Sequence, residues 1–307
     1  MSWFVRSAVA LAMGASLAGC VVSIEEDDVF LPEMAEGTTF TIIDEDVTLF
    51  ELNRPRDGLF EEMGVSIARG SFTAPTGRIA YRLARRSSAD GPLIVYCGGN
   101  SFDAPSHGDL AIWKLAAHGD ALIWDYPGYG DSGGAPSVSS FQQAAAALAE
   151  RVAGFRRNEG QSVVFWGHSL GGFVCAEMAA RAGATAIVFE TSAPSTRAAA
   201  RYMLPPIVRA FVRVRLASTI AAFDIPQTLE GTRIPALVLA GRRDRILPPI
   251  MSEELAAALR ANGHDVAFHE FPDANHFHIG FQPEYETVVA DALGRLYGPA
   301  TEPKEPE

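Results

Sequence analysis

Lysine and cysteine are the residue types that this sequence has least of. Its 307 residues include two lysines, Lys114 and Lys304, and three cysteines. Three cysteines in so long a chain do not make a disulfide framework. The formal net charge is −12, whereas a protein that binds nucleic acid by neutralising phosphates usually carries a basic stripe or the opposite sign. The sequence therefore predicts neither a disulfide scaffold nor a nucleic-acid partner.

Long hydrophobic runs are also scarce, apart from one at the amino terminus. Residues 7–19 are apolar or small and follow Arg6, but they are fewer than the roughly 20 residues of a membrane-spanning helix. A positive charge before a short apolar run is typical of a secretory signal. Leu17-Ala18-Gly19-Cys20 resembles a bacterial lipobox, which implies cleavage after residue 19 and a lipid on Cys20. A plain signal peptide that happens to contain a cysteine is the alternative.

A lipid on Cys20 predicts where the protein is located. Acyl chains hold a soluble domain at a bilayer through roughly 0.8 kcal/mol per buried CH₂ group. The predicted location is the periplasmic face of a bacterial cell envelope, with the membrane as a partner through the lipid. Val21 stands where an aspartate would favour the inner membrane, so the outer membrane is preferred. The acidic run Glu25–Asp28 is interpreted as part of a solvated tether.

The mature chain has a strand-and-helix rhythm. Residues 20–63 contain the lipidated cysteine, the tether and amino-terminal strands at 38–50. Strands predicted at 64–72 and 78–83 alternate apolar and polar residues, and a series of short apolar runs then alternates with helix-like segments. The runs are residues 93–97, 121–124, 162–166, 185–189, 236–240 and 266–271. The helices are predicted at 109–118, 138–157, 170–182, 249–262 and 284–296. This order predicts an α/β fold with a mostly parallel central sheet and helices on both faces.

One segment interrupts this rhythm, at residues 193–223. It contains five arginines among apolar residues and no recognised strand, so we expect a short helical excursion over the sheet edge. It is interpreted as a small cap near the substrate, as an amphipathic pair of helices packed on the body, or as a basic surface facing a membrane. The domain is predicted to span residues 64–297, and residues 298–307 are a Pro/Glu-rich tail that we expect to be disordered.

A nucleophile motif follows the run at 162–166. Gly167-His168-Ser169-Leu170-Gly171 matches G-x-S-x-G between a strand and a helix, where a sharp turn exposes a serine hydroxyl. Gly167 and Gly171 are required where neighbouring chain leaves no room for a Cβ atom. Ser169 is the predicted nucleophile.

A nucleophilic serine needs a base and an orienting carboxylate. His276 lies in a loop after the last predicted strand and is preferred as the base over His264, His269 and His278. Asp244, in the loop after residues 236–240, is the preferred acid. Glu190 and Asp273 are the alternatives.

The oxyanion hole is expected to combine the Leu170 N–H with an N–H from the loop after residues 93–97. Asn100, which follows Gly98-Gly99, is the predicted second donor. The stretch 128–133 matches the G-x-G-x-x-G pattern of dinucleotide sites, but we interpret it as a structural loop. No cofactor and no metal are predicted.

These residues resemble the α/β-hydrolase superfamily over about residues 64–297. The segment Trp124–Gly134 is similar to one found in Bem46-like hydrolases and their serine-aminopeptidase-type relatives. Those relatives usually carry His-Gly before the oxyanion residue, where this chain has Gly98-Gly99. The resemblance implies an α/β-hydrolase fold and a Ser-His-Asp serine hydrolase.

The expected activity is hydrolysis of an ester or thioester, with an amide as a further option, on a small-molecule or lipid acyl substrate. An acyltransferase or an aminopeptidase with the same triad is the alternative. A non-catalytic envelope lipoprotein that uses the fold for binding is a third hypothesis. Cys97 and Cys175 are interpreted as small buried apolar residues in preference to a disulfide, although the predicted compartment would permit that bond.

Overall fold

A computed structural model gives the fold of this chain. It describes residues 20–26, 29–30, 39–42, 45–48, 57–203 and 212–297. The predicted signal peptide and carboxyl-terminal tail lie outside the described residues.

The described strands are numbered along the chain. They are β1 (Cys20–Ile24), β2 (Thr39–Ile42), β3 (Glu45–Thr48), β4 (Val65–Ala74), β5 (Gly77–Arg86), β6 (Leu93–Cys97), β7 (Asp120–Trp124), β8 (Val163–His168), β9 (Ala186–Glu190), β10 (Val212–Leu216), β11 (Ala236–Gly241) and β12 (Val266–Phe271). Eight of them form the central sheet, in the order β12-β11-β9-β8-β6-β7-β5-β4. The strands from β12 to β7 are parallel, while β5 and β4 join the edge antiparallel.

Helices cover both faces of this sheet. The described helices are α1 (Leu59–Glu62), α2 (Ala104–Ala116), α3 (Val138–Ala149), α4 (Val152–Phe155), α5 (Gly171–Ala182), α6 (Thr196–Met203), α7 (Ile225–Thr228), α8 (Pro249–Ala261) and α9 (Tyr285–Tyr297), with 3-10 turns at Ile220–Ala222 and Ile279–Phe281. One apolar core lies between the sheet and α3, α5 and α8, and a second lies between the sheet and α2 and α9. The predicted mostly parallel central sheet with helices on both faces is confirmed.

The apolar runs form strands because both faces of the sheet are covered. Every residue of β6, β7, β9 and β11 is buried. The sequences of these strands therefore do not alternate between apolar and polar residues. By contrast, β4 at the edge is buried only at its two ends, and the positions between them are half-buried or exposed, as expected of a strand with a solvated face.

The insert at 193–223 differs from the prediction of a purely helical excursion. Its amino-terminal part forms α6, but its second half contains β10. Val212-Arg213-Val214-Arg215-Leu216 alternates apolar and charged residues, which is the two-residue period of a half-exposed strand. Residues 204–211, between these two elements, lie outside the described residues.

The segment after Cys20 is not a solvated tether throughout, which corrects that prediction. Residues 20–24 form β1, which pairs in parallel with β10 of the insert. A Glu26 carboxylate oxygen accepts a hydrogen bond from the Val138 N–H at 3.0 Å, at the start of α3. Phe30 is 5% exposed, and its ring lies 4.7 Å from that of Phe141 between centroids. This segment is packed on the body of the domain.

The interpretation of Cys97 and Cys175 as unlinked apolar residues is wrong, because a disulfide joins them. Both side chains are fully buried. β6 ends at Cys97, and α5 passes behind it, so their Cα atoms lie 5.9 Å apart. This separation lies within the usual range for disulfides. Spacing along the sequence gives no sign of that approach.

Candidate active site

Ser169 lies on a sharp turn between β8 and α5. Its φ angle is 54°, in the left-handed region that non-glycine residues seldom adopt. The Ser169 N–H donates to the Glu190 carbonyl at 2.9 Å, which ties the turn to β9. A Cβ atom on Gly167 would lie 2.5 Å from the Gly172 Cα, and one on Gly171 would meet the Cys97 carbonyl. The two glycines are therefore needed for the close approach that the motif predicts.

His276 and Asp244 meet at the carboxyl edge of the sheet. Asp244 follows β11, and His276 follows β12, its neighbour in the sheet. His276 Nδ1 lies 2.6 Å from Asp244 Oδ2, and both residues are 4% exposed. The other carboxylate oxygen accepts the N–H groups of Ile246 and Leu247, both at 2.8 Å. The carboxylate is thus oriented toward one imidazole nitrogen, which leaves Nε2 to act as a base.

The alternative acids have other partners. Glu190 accepts hydrogen bonds from Lys114 Nζ at 2.8 Å and from Trp166 Nε1 at 2.8 Å. Asp273 pairs with Arg243 at 2.6 Å, and this ion pair is exposed. Of these carboxylates, Asp244 is the one that contacts His276.

The alternative bases also lie elsewhere in the structure. His264 Nδ1 contacts the Ile234 carbonyl at 2.9 Å, and the ring of His269 packs against Phe271. His278 is buried beside Phe281, and burial lowers its pKa. The described contacts therefore favour His276 for pairing with an acid.

His168 connects the nucleophile turn to the loop of the predicted base. Its Nε2 lies 3.0 Å from the His276 carbonyl oxygen, and the two rings are 5.1 Å apart between centroids. Burial, reinforced by His276, lowers the pKa of His168 to about 4, so this ring is neutral at pH 7 and can donate to that carbonyl. Within the described ranges no hydrogen bond joins Ser169 to His276 directly. Such bonds are often long without substrate.

The predicted oxyanion loop lies against the nucleophile turn. A Cβ atom on Gly99 would lie 2.7 Å from His168 Nδ1 and 3.4 Å from the Ser169 Cβ. Leu170 begins the turn into α5, and its N–H has no hydrogen-bond partner among the described residues. Ser101 has a φ angle of 71°, which bends the chain just after Asn100. The Gly99 backbone, next to Asn100, therefore lies close to Ser169.

Two tyrosines that the sequence reasoning did not assign hold this loop in place. The Tyr126 hydroxyl donates to the Gly98 carbonyl at 2.7 Å, and the Tyr129 hydroxyl donates to Asn100 Oδ1 at 3.1 Å. Tyr129 belongs to the stretch 128–133 that matches the dinucleotide pattern, and Tyr126 lies two residues before it. Asn100 Nδ2 also donates to the Val29 carbonyl. The amino-terminal segment therefore contacts the predicted oxyanion residue.

A buried ion pair lies behind the nucleophile. Lys114, from α2, pairs with Glu190 at the end of β9, and its ammonium also lies over the rings of Tyr96 and Trp166. Burial alone would raise the pKa of Glu190, but Lys114 brings it below its ordinary value. Because the Glu190 carbonyl accepts the Ser169 N–H, this pair fixes the strand end that supports the nucleophile.

Neither a metal-binding cluster nor a membrane-spanning helix occurs in the part of the chain that the structure describes. It holds no cluster of three or more His, Cys, Asp or Glu side chains placed to hold a metal ion. None of the helices in that part is long and apolar enough to cross a membrane.

Comparison with known proteins identifies the family. The sequence profile of the alpha/beta hydrolase family matches residues 76–292, which contain Ser169, Asp244 and His276. This chain is an alpha/beta hydrolase. Two uncharacterized proteins of Mycobacterium tuberculosis are 29% identical to the hydrolase over 174 residues, which are 56% of this chain and 59% of each relative. The hydrolase thus matches under two thirds of the length of those relatives.

Solved structures with the same fold include esterases. An esterase of Pyrococcus furiosus superposes with a TM-score of 0.59 at 16% identity, over 77% of the hydrolase and 95% of that chain. A thermostable esterase of Pseudomonas putida gives a TM-score of 0.53 at 17% identity, over 76% of the hydrolase and 82% of that chain. At these identities the likeness shows the fold.

Proposed function

We propose that this hydrolase cleaves an ester or thioester of a small-molecule or lipid acyl group. Ser169 is the nucleophile, His276 the general base and Asp244 the residue that orients it. The observation that carries the proposal is the 2.6 Å contact between His276 Nδ1 and Asp244 Oδ2, at the sheet edge where Ser169 takes its left-handed turn. The esterase activity named for the structural neighbours supports the same reaction class.

The proposed reaction has two half-reactions. His276 Nε2 takes the Ser169 hydroxyl proton as Oγ bonds to the acyl carbon, and the resulting oxyanion accepts the N–H groups of Leu170 and Asn100. The carbon–oxygen or carbon–sulfur bond then breaks, and the leaving group takes the proton from His276. Water attacks the acyl-enzyme with His276 again as base, which releases the acid and restores Ser169.

Covalent labelling tests the nucleophile. A fluorophosphonate probe should label the wild-type protein and Ser139→Ala, an exposed serine on α3, but not Ser169→Ala. Equal labelling of Ser169→Ala would refute the assignment. In p-nitrophenyl ester assays, Ser169→Ala and His276→Ala should each lower kcat by about three orders of magnitude or more. Wild-type protein that turns over no ester or thioester would favour the binding-module hypothesis.

We also propose that Cys20 carries the lipid that attaches the enzyme to a membrane of the cell envelope. The supporting observation is in the sequence, where small residues precede a cysteine at the end of the apolar run. Metabolic labelling with a fatty acid should mark the wild-type protein and leave Cys20→Ser unlabelled. Labelling of Cys20→Ser would contradict the assignment.

A further inference from the structure

Four arginines of the insert have exposed side chains. They are Arg197 and Arg201 on α6, and Arg213 and Arg215 on β10. In the described ranges, no ion pair or hydrogen bond involves the side chain of any of the four. We call this group the arginine face. The arginine face is positively charged, although the formal net charge of the whole chain is −12. The positive charge is therefore a local property of this surface.

The arginines of each element lie on the same side of that element. On α6 the two are four residues apart, which places them one above the other along a helix. On β10 they are two apart, which places them on the same face of a strand. Val214, between them, is only half-exposed. The two elements pack against each other, so the two arginine pairs are carried by one packed unit.

The backbone register places Cys20 at the edge of the same insert. Cys20 is paired with Val212 and Ser23 with Arg215, and neighbouring strands lie about 4.8 Å apart. The cysteine is therefore one strand spacing from the residue that precedes Arg213. A lipid on Cys20 would bring the bilayer against the insert, with no free linker between them.

Two exposed apolar side chains lie on the neighbouring rim of the candidate active site. Ile246 and Ile250 are 42% and 40% exposed, and no other large apolar side chain in the described part of the chain is as open to solvent. Ile246 follows the predicted acid Asp244 by two residues. One turn after Ile250, Glu254 accepts a hydrogen bond from the Tyr202 hydroxyl at 2.9 Å, which joins α8 to α6. The apolar rim is thus connected to the helix that bears Arg197 and Arg201.

We propose that the arginine face binds anionic lipid headgroups and holds the rim of the active site against the bilayer. The orientation of the active site toward the bilayer rests on the proposed lipid attachment and hydrolase function. The attraction between the arginine face and anionic headgroups does not depend on either of them. Cationic side chains near an anionic leaflet attract it, and this attraction is screened by salt. Ile246 and Ile250 contact the apolar boundary below the headgroups. The substrates best placed for Ser169 are then acyl esters that reside in the membrane.

Vesicle binding without the lipid tests the proposal. The protein used is the mature chain from residue 20 with Cys20→Ser, which retains every described residue except that sulfur. It is sedimented with vesicles of mixed phosphatidylglycerol and phosphatidylcholine, or of phosphatidylcholine alone. Binding should require phosphatidylglycerol and weaken in high salt. Arg213→Gln/Arg215→Gln should lower the affinity about 25-fold, at about fivefold for each arginine near the surface.

A matched variant distinguishes the effect of charge at the arginine face from the effect of the protein's overall charge on vesicle binding. Arg69→Gln/Arg181→Gln removes the same charge from exposed positions on β4 and at the end of α5, and it should bind like the parent protein. Equal binding by both double variants, equal binding to the two kinds of vesicle, or no binding at all would each overturn the proposal. Fluorophosphonate labelling of the same samples reports the active site separately, so a failed hydrolase assignment is not confused with a failed membrane surface.

Discussion

Removing the Cys97–Cys175 disulfide should cost this hydrolase a large part of its stability. The bond joins the strand that leads into the predicted oxyanion loop to the helix that follows the predicted nucleophile, across 78 residues. A cross-link restricts the unfolded chain more than the folded one, since the folded chain already holds the two residues together. The perturbation is either reduction of the wild-type protein or the double substitution Cys97→Ala/Cys175→Ala.

The length of the loop that the disulfide closes sets how much stability the bond contributes. In the chain-entropy relation, a closed loop of 78 residues corresponds to about 15 cal/mol/K, or about 4.5 kcal/mol at 25 °C. A domain's whole unfolding free energy is typically about 5–15 kcal/mol. The reduced protein should therefore unfold at a clearly lower denaturant concentration.

Guanidinium unfolding, followed by tryptophan fluorescence with and without reductant, measures this difference. The double variant should resemble the reduced wild-type protein and should not respond to reductant. Alkylation counts the free thiols. In the unfolded chain of 307 residues without lipid, Cys20 alone should react before reduction, and all three cysteines should react after it. Alkylation of three thiols without reductant, or identical transitions in both conditions, would refute the reasoning.

Three other substitutions probe the site, a buried charge and the amino-terminal segment. Gly99→Ala should lower ester kcat about 100-fold, the order of a lost oxyanion donor, because the new Cβ would lie 2.7 Å from His168 Nδ1 and displace the loop. Asp120→Ala should lower the unfolding free energy at pH 7 by about 3 kcal/mol, measured in urea, because it leaves Arg157 without its partner at 2.6 Å. Burial by itself would raise the pKa of Asp120, but the hydrogen bond from Arg157 holds that pKa well below 3.8. The ionised Asp120 therefore stabilises the fold fully above pH 3.8. The stability difference between the wild type and Asp120→Ala should shrink as the pH falls through the lowered pKa. Phe30→Ala should cost about 3 kcal/mol in the same urea assay, because the ring is buried.

Each of these variants has a control in the same chain. Gly154→Ala places a methyl group in open space and should leave kcat unchanged. Asp273→Ala removes a carboxylate from a 2.6 Å pair with Arg243 in which both side chains are more than half exposed, and it should cost under about 1 kcal/mol. Phe60→Ala affects a half-buried ring and should cost less than Phe30→Ala. A Phe30→Ala protein as stable as the wild type would mean that the segment after Cys20 is not docked on the domain.

The centre of the sheet could be predicted from sequence because its strands are buried on both faces. Leu93–Cys97 has the same limits in the sequence prediction and in the structure, since an apolar run between turn residues has few other folds open to it. The sequence prediction did not include β10, although apolar residues and arginines alternate along it. The arginines of this segment were interpreted as the solvated face of a helix. The strand depends on β1, a partner from the other end of the chain.

The candidate site was predictable where the residue types themselves limit the chemistry. The G-x-S-x-G turn and the order Ser, Asp, His directed the search to Ser169, Asp244 and His276, and the structure brings the last two into contact. The support around them was not predictable. The bonds of Tyr126 to Gly98 and of Asn100 to Val29 join segments far apart in sequence, and no local pattern marks such contacts.

The pairing of β1 with β10 has a consequence for how the chain reaches its final form. Cys20 opens the first described strand, yet its partner Val212 is synthesised only after most of the domain has been made. Although β1 is made before the central sheet, it is thus among the last segments that can find their place, because closing so long a loop must wait for the sheet between the two strands. Until then, β10 has an unpaired edge. A chain held at a membrane by its amino terminus during export would complete its fold at that membrane.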